Sequence, residues 1–224
     1  SGRRAGPMLS LRWPDLGTIL CLGAHSDDIE IGAGATVLRL VRENPEARIV
    51  WVVLAAGGRR GEEARASAAR FLAGVRGGAG ATEVLLQEFR DGHFPAQWVE
   101  IKAFFETLKR FAPDLVLTHY GQDLHQDHRA VSELAWNTFR DQLILEYEIP
   151  KWDGGLGSPN LFVPASVADA DAKIAALLQC FPSQAGKHWF DDLTFRGLMR
   201  LRGLECNAPE GLAEAFYARK VSLA

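Results

Sequence analysis

The chain has little cysteine and no long hydrophobic run. Its 224 residues include only three cysteines, at positions 21, 180 and 206, and none of them forms a CxxC pair. Three widely separated thiols cannot build a disulfide framework or a thiolate metal site, which favours a reducing, cytoplasmic setting. The longest apolar run, Ile49 to Ala56, is far too short to span a bilayer. Ser1 to Pro14 carries three arginines but no apolar stretch, so we expect neither export nor membrane insertion.

An excess charge of one sign is also missing, because 25 Lys and Arg stand against 28 Asp and Glu, for a net charge of −3. Binding to nucleic acid or to an anionic membrane needs a basic surface that neutralises phosphates, so neither partner is expected. Apolar content, by contrast, is ample: 47% of the residues are hydrophobic, which suffices for a folded core in a chain of this length. We therefore expect one domain over residues 1–224.

Short apolar runs alternate with amphipathic stretches over the first two thirds of the chain, which is typical of βα units around a parallel sheet. The pattern predicts an α/β sandwich of three layers with a mainly parallel central sheet. Strands are predicted at about 18–22, 47–54, 82–87, 114–118, 143–149, 160–164 and 213–217. Helices are predicted at about 32–43, 62–73, 97–111, 127–140, 168–180 and 190–202.

Two polar clusters follow the first and fourth predicted strands, at the sheet edge where α/β proteins bind ligands. The first cluster, Gly23 to Glu30, contains His25, Asp27 and Asp28, and the second, Gly121 to His128, contains His125, Asp127 and His128. His25 and Asp28 are three residues apart, as are the two later histidines, so a helical turn brings each pair to one side. His25, Asp28 and one of those histidines would supply three N and O ligands and leave a fourth position for water. The clusters therefore predict a catalytic zinc site, or a site for another first-row divalent metal.

A structural interpretation exists for each residue taken singly, since an aspartate can cap a helix and a histidine can be a hydrogen-bonded structural residue. Two such groups at one edge are harder to explain as caps, because a buried, unpaired acid is costly without a cation or hydrogen-bond donors. The pair of clusters thus favours the metal site.

The same residues resemble the signatures of the LmbE and PIG-L superfamily of zinc-dependent N-deacetylases. The first signature, A-H-[PAS]-D-D, reads Ala24 to Asp28 here, and the second, H-x-D-H, reads His125 to His128. Many members have Pro where this chain has Ser26 and an acid where it has Ile29, but neither position is a ligand. The resemblance implies a Rossmann-like fold and removal of the N-acetyl group from an N-acetylglucosamine-type glycoside or sugar conjugate. It also implies a small-molecule partner of that kind and allows a homo-oligomer.

Roles for the clustered side chains follow from motif position within that family. Asp27 corresponds to the general base that takes a proton from the attacking water. His125 corresponds to the electrophile or acid beside the substrate carbonyl, with Asp127 orienting it. The implied zinc ligands are His25, Asp28 and His128.

Four further polar residues follow the second and third strands: Arg59, Arg60, Asp91 and His93. They lie on the same expected edge, so they could bind sugar hydroxyls, and the paired arginines would suit an attached phosphate. The alternative is that the arginines are simply solvated and that Asp91 and Gly92 form a turn. Two interpretations also stay open later in the chain. His119 would support a ligand or be a hydrogen-bonded core histidine. His188 and Trp189 would form a lid or an aromatic platform for a sugar ring, or Trp189 would be a packing or oligomer contact.

Two other functions are compatible with this fold class. A nucleotide-binding module is suggested by Gly32 and Gly34 at a helix start, but Val37 stands where the fingerprint needs a third glycine, and two carboxylates would repel a pyrophosphate. A serine hydrolase is weaker, because Ser26 is not in a Gly-x-Ser-x-Gly elbow. A non-catalytic carbohydrate-binding protein would show the same fold with an absent or inert metal.

Overall fold

Segments rich in Ile, Val and Leu form a seven-stranded sheet in the computed structural model, which describes residues 16–222. The expectation for Ser1 to Pro14 lies outside the described residues. The strands are β1 (Thr18–His25), β2 (Arg48–Ala55), β3 (Thr82–Leu86), β4 (Leu115–His119), β5 (Leu143–Tyr147), β6 (Leu161–Ala165) and β7 (Leu212–Tyr217). The α-helices are α1 (Asp28–Glu43), α2 (Arg59–Phe71), α3 (Trp98–Leu108), α4 (Gln126–Thr138), α5 (Val167–Cys180) and α6 (Asp192–Glu205).

The strand order is β3-β2-β1-β4-β5-β7-β6, with the first five strands parallel and β7 antiparallel to both of its neighbours. The chain moves from β1 to β2 on one side and later returns to β4 on the other. The order therefore reverses between β1 and β4, and the loops that leave their carboxyl ends open a crevice there. Both polar clusters emerge at this switch point.

Helices cover both faces of the sheet. One apolar core lies under α1, α2, α5 and α6 and includes Trp51 and Phe71, and a second lies under α3 and α4 and includes Phe105 and Leu134. Burial on both faces explains why the central strands are continuously apolar rather than alternating. The predicted three-layer α/β sandwich with a mainly parallel sheet is confirmed. Among the helices of residues 16–222, none has the length and apolar character needed to cross a bilayer.

Two helices begin earlier than the apolar periodicity predicts. Helix α1 starts at Asp28 rather than Gly32, and α2 starts at Arg59 rather than Glu62. The first turn of α1 buries Asp28 and Glu30, so its polar residues hide the helical pattern, while the ionised Asp28 suits the positive end of the helix dipole. The earlier start places the first acidic motif on the N-terminus of α1.

Candidate active site

The turn from β1 into α1 folds the Asp28 carboxylate back toward His25. Asp28 Oδ2 accepts the backbone N–H of His25 at 2.7 Å and lies 3.2 Å from His25 Nδ1. Asp28 is buried, and although burial opposes ionisation, His128, His119 and His25 hold the pKa of its carboxyl well below the usual range. An ionised carboxylate thus lies against an imidazole at the carboxyl edge of the sheet.

His128 completes a triangle with these two groups. Its Nε2 lies 3.2 Å from His25 Nδ1 and 3.5 Å from Asp28 Oδ2. Ligands of tetrahedral zinc bind at about 2.0 to 2.2 Å, so neighbouring ligand atoms stand about 3.4 Å apart. The three side-chain atoms therefore stand at separations compatible with one small divalent cation, such as the metal that the sequence predicts.

A buried carboxylate supports His128 from its other side. Asp123 Oδ2 lies 3.0 Å from His128 Nδ1 and accepts a hydrogen bond from Lys151 Nζ at 2.6 Å. Although burial opposes ionisation, His128 and Lys151 hold the pKa of Asp123 well below its usual range. Burial, with the neighbouring His119, lowers the pKa of His128 to about 3, so its ring is the neutral form that binds metals. Sequence reasoning missed this support, for which the only signal is an acid five residues before the histidine.

Two acids lie on the far side of His25. Its Nε2 lies 3.0 Å from Asp91 Oδ1 and 3.4 Å from Asp127 Oδ2, at ion-pair distance of both carboxylates. Despite opposing burial, the carboxylates of Asp28, Asp127 and Asp91 raise the pKa of His25 well above its ordinary value. The site therefore favours a positive charge at this point.

Asp127 contacts the loop before α3 rather than the His125 ring. Its carboxylate oxygens accept the backbone N–H of Gly92 at 2.6 Å and of Phe94 at 3.0 Å. It orients His125 only through its backbone, because its N–H donates to His125 Nδ1 at 3.2 Å. That contact fixes the remaining proton of a neutral His125 on Nε2, and burial lowers the pKa of His125 below its usual value, which favours the neutral form.

Asp27 lies outside the triangle and is paired with Arg60. Its Oδ1 accepts a hydrogen bond from Arg60 Nη2 at 2.7 Å, and the carboxylate is buried. Burial raises the pKa of Asp27, with Arg60 acting against that shift. A carboxylate whose pKa is raised toward neutrality is suited to take and return a proton.

Arg60, predicted to bind substrate, is engaged within the protein. Besides Asp27, its guanidinium reaches Glu63 Oε2 at 3.1 Å and Ser183 Oγ at 3.2 Å. Glu63 in turn accepts the backbone N–H of Ser183 at 2.9 Å and its hydroxyl at 2.6 Å. This network connects the N-terminus of α2 to the turn after α5 and holds Asp27 in place.

The other predicted substrate contacts lie at the rim of the site. Arg59 is exposed on the first turn of α2 and approaches Glu63 at 3.4 Å. Asp91 is exposed beside His25, and the exposed His93 is held by the backbone oxygen of Asp91 at 2.8 Å. Of the four, only Asp91 is brought to the metal triangle directly.

His119 lies fully buried beneath the triangle. Its Nε2 accepts the backbone N–H of Ala24 at 2.9 Å and lies 3.2 Å from Asp28 Oδ2, and its ring stacks on His128 with centroids 3.9 Å apart. Both interpretations of His119 therefore apply. It is a hydrogen-bonded core histidine, and it also contacts Asp28 and His128, two members of the triangle.

Comparison with known proteins decides the family. The family model for PIG-L, described as GlcNAc-PI de-N-acetylase, matches residues 20–139, more than half of the chain. The chain belongs to the PIG-L family. The matched segment contains both polar clusters, so the PIG-L signatures and the triangle of donor atoms are the same residues.

Among its PIG-L relatives is an Escherichia coli (strain K12) protein described as uncharacterized deacetylase YaiS. It is 31% identical over 174 residues, covering 71% of this chain and 88% of the relative. An N,N′-diacetylchitobiose deacetylase from Pyrococcus horikoshii has a similar structure, with a TM-score of 0.66, 19% identity, and coverage of 90% of this chain and 83% of that one.

The 4-carboxy-2-hydroxymuconate hydratase GalB from Pseudomonas putida KT2440 shares the fold as well. Its TM-score is 0.74 at 17% identity, covering 93% of this chain and 98% of that one. Because a hydratase and a deacetylase share this architecture, the fold alone does not choose the reaction, and the family assignment rests on the PIG-L match and on the relative from E. coli.

The glycines that suggested a nucleotide fingerprint serve helix packing. A Cβ at Gly32 would overlap the ring of Tyr147, and one at Gly34 would lie 3.1 Å from both Phe71 and Lys173. Both glycines are buried within α1, one turn or more past the β1 to α1 turn itself. They let α1 approach its neighbours closely, which accounts for them without a pyrophosphate.

Proposed function

We propose that this chain is a metal-dependent hydrolase that removes the N-acetyl group from an N-acetylglucosamine-type sugar conjugate. The observation that carries the proposal is the triangle of His25 Nδ1, Asp28 Oδ2 and His128 Nε2 with Asp27 beside it, in a member of a de-N-acetylase family. The similarity to a diacetylchitobiose deacetylase supports a sugar as the N-acetylated substrate.

The three triangle residues would hold Zn²⁺ or another first-row divalent cation, since one carboxylate and two imidazoles are donors that such metals accept. A bound cation of this kind lowers the pKa of a water molecule to about 7 and polarises the substrate carbonyl. The carboxylate of Asp123 behind His128, and those of Asp91 and Asp127 behind His25, would orient the two imidazoles toward the cation.

Asp27 is the proposed general base. Arg60 binds one of its oxygens, which leaves the other to take the proton of the attacking water. The departing amine needs one proton, and Asp27 returns the one that it has taken.

His125 is the proposed donor to the developing oxyanion. Because its Nδ1 accepts the backbone N–H of Asp127, its Nε2 carries the proton in the neutral ring. A preorganised donor of this kind stabilises the tetrahedral transition state more than the planar amide.

Removal of the metal tests the proposal. Dialysis against a strong chelator is expected to abolish acetate release from N-acetylglucosamine conjugates, and one equivalent of Zn²⁺ is expected to restore it, because the triangle supplies no nucleophile of its own. Acetate is measured by a coupled assay, with metal content determined on the same samples. Full activity in a preparation shown to contain no metal would refute the proposal.

Asp123→Asn is expected to weaken zinc binding about 10- to 100-fold, because the amide supports the His128 imidazole less well than a carboxylate does. Affinity is measured by competition with a chromophoric chelator. The matched control is Asp153→Asn, which alters a carboxylate 3.6 Å from the same Lys151 but leaves His128 untouched. Equal affinities for the two variants would show that Asp123 does not support the ligand.

A further inference from the structure

Three aromatic side chains meet from two segments, each of which is hydrogen-bonded to residues of the candidate active site. The ring of Trp152 lies 6.0 Å from that of His188 and 6.3 Å from that of Trp189. Trp152 is 71% exposed, and His188 is exposed as well. We call these three residues the aromatic rim. Large exposed aromatic surfaces are unusual away from binding sites, and this one is assembled from both segments.

The segment that carries Trp152 is tied to the second cluster. The preceding residue, Lys151, donates to Asp123, and Asp123 supports His128. Further along the same loop, a Cβ at Gly155 would lie 3.2 Å from the side chain of Leu124, between Asp123 and His125. Trp152 therefore directly follows a residue whose side chain binds the carboxylate that supports His128.

The segment that carries His188 and Trp189 is tied to the first cluster. Ser183 contacts Arg60, the partner of Asp27. Tight turns follow, because the backbone N–H of Lys187 donates to Gln184 at 2.9 Å and that of Phe190 donates to Lys187 at 3.0 Å. The buried Phe190 packs on Trp189 with ring centroids 5.6 Å apart, which anchors this side of the rim.

We propose that the aromatic rim is a stacking platform for a second sugar ring, the one linked to the N-acetylated sugar. This inference rests on the proposed function and narrows its substrate class to conjugates with at least two rings. The C–H face of a pyranose is apolar and packs on an indole, while its hydroxyl edge needs polar partners. Lys187, whose ammonium lies 5.5 Å over Trp189, and His188 supply such partners.

Trp152 offers the open surface of the platform. Lys187 covers one face of Trp189, whereas Trp152 is exposed and touches the other two rim residues only at tilted angles of 36° and 58°. A rigid indole at this place orders few rotatable bonds on binding, so it favours a flat, rigid ring over a flexible chain.

The test compares N-acetylglucosamine with N,N′-diacetylchitobiose on the zinc-loaded protein of 224 residues. Binding is measured by calorimetry with the Asp27→Asn variant, so that the sugars are not hydrolysed during the measurement. Acetate release is measured separately with the protein that retains Asp27. Trp152→Ala is expected to reduce the disaccharide-to-monosaccharide affinity ratio about tenfold, as the loss of one good aromatic contact implies. Trp152→Phe is expected to retain most of the ratio. Leu204→Ala, an exposed apolar residue of α6, is the control and keeps it unchanged.

The two claims fail in different ways. A ratio that Trp152→Ala leaves unchanged, or a loss shared equally by both sugars, overturns the platform whatever the rate of acetate release. Disaccharide binding that depends on Trp152 without any acetate release supports the platform and refutes the proposed deacetylase function on these sugars.

Discussion

Replacing Asp27 by asparagine is expected to lower the turnover number for acetate release about 10²- to 10⁴-fold, the usual contribution of a positioned base. The amide keeps the shape of the carboxylate and can still accept the Arg60 hydrogen bond, but it takes no proton at neutral pH. Because Asp27 lies outside the metal triangle, the zinc content is expected to stay at one equivalent. Steady-state kinetics and metal analysis on the same preparation check both parts.

A carboxylate away from the site provides the matched control for that variant. Asp141 is exposed after α4, and Asp141→Asn is expected to leave both rate and zinc content unchanged. If Asp27→Asn retained more than about a tenth of the rate, its assignment as the base would be wrong. If it lost its zinc, Asp27 would belong to the ligand set instead.

Lys173→Met is expected to destabilise the protein by about 3 to 5 kcal/mol, because it leaves Glu214 buried without its cation. Only 2% of Lys173 is exposed, and its Nζ lies 2.7 Å from Glu214 Oε1 and 2.6 Å from the backbone oxygen of Ile31. Glu214 also accepts the backbone N–H groups of Ala35 at 2.9 Å and Thr36 at 2.7 Å. The ion pair thus binds the Ile31 carbonyl and the Ala35 N–H, a pair of groups placed to hydrogen-bond to each other within α1. It also connects α1 to α5 and β7.

Urea unfolding measures the effect, and an exposed pair gives the comparison. Lys109 forms a surface ion pair with Glu106, so Lys109→Met is expected to change the free energy of unfolding by about 0.5 kcal/mol or less. A loss below about 1 kcal/mol for Lys173→Met would mean that water or a rearranged side chain satisfies Glu214, and that the pair does not hold α1 in place.

Local patterns were enough to predict most of the fold. Strands β1, β2 and β4 are apolar along their length because helices bury both faces, so short runs such as Ile49 to Leu54 could be found in the sequence. The start of α1 could not be found in this way, because its first turn buries the acidic residues Asp28 and Glu30. The Asp28 carboxylate is buried against His119 and His128, which lie far along the chain.

The candidate site can likewise be predicted from the sequence only where its residues are close together in the chain. The two motifs are visible because each is local, with its outer members three positions apart, and the sheet order that joins them follows from the βα pattern. The supports of the motifs were not visible, because they join residues distant in sequence. Arg60 reaches Asp27 across 33 residues and Lys151 reaches Asp123 across 28, and nothing near any of these residues signals the pairing. The sequence predicts Arg60 as a substrate contact and does not reveal that its guanidinium also binds Asp27, Glu63 and Ser183.

The most direct test of the proposed metal centre is anomalous diffraction at the zinc edge from crystals of the zinc-loaded protein. One peak is predicted, about 2.0 to 2.2 Å from each of His25 Nδ1, Asp28 Oδ2 and His128 Nε2. The neighbouring side chains of Asp91, His125 and Asp127 are also close enough to His25 to hold an ion. A peak among those side chains with no density between the three predicted ligand atoms would contradict the proposed centre.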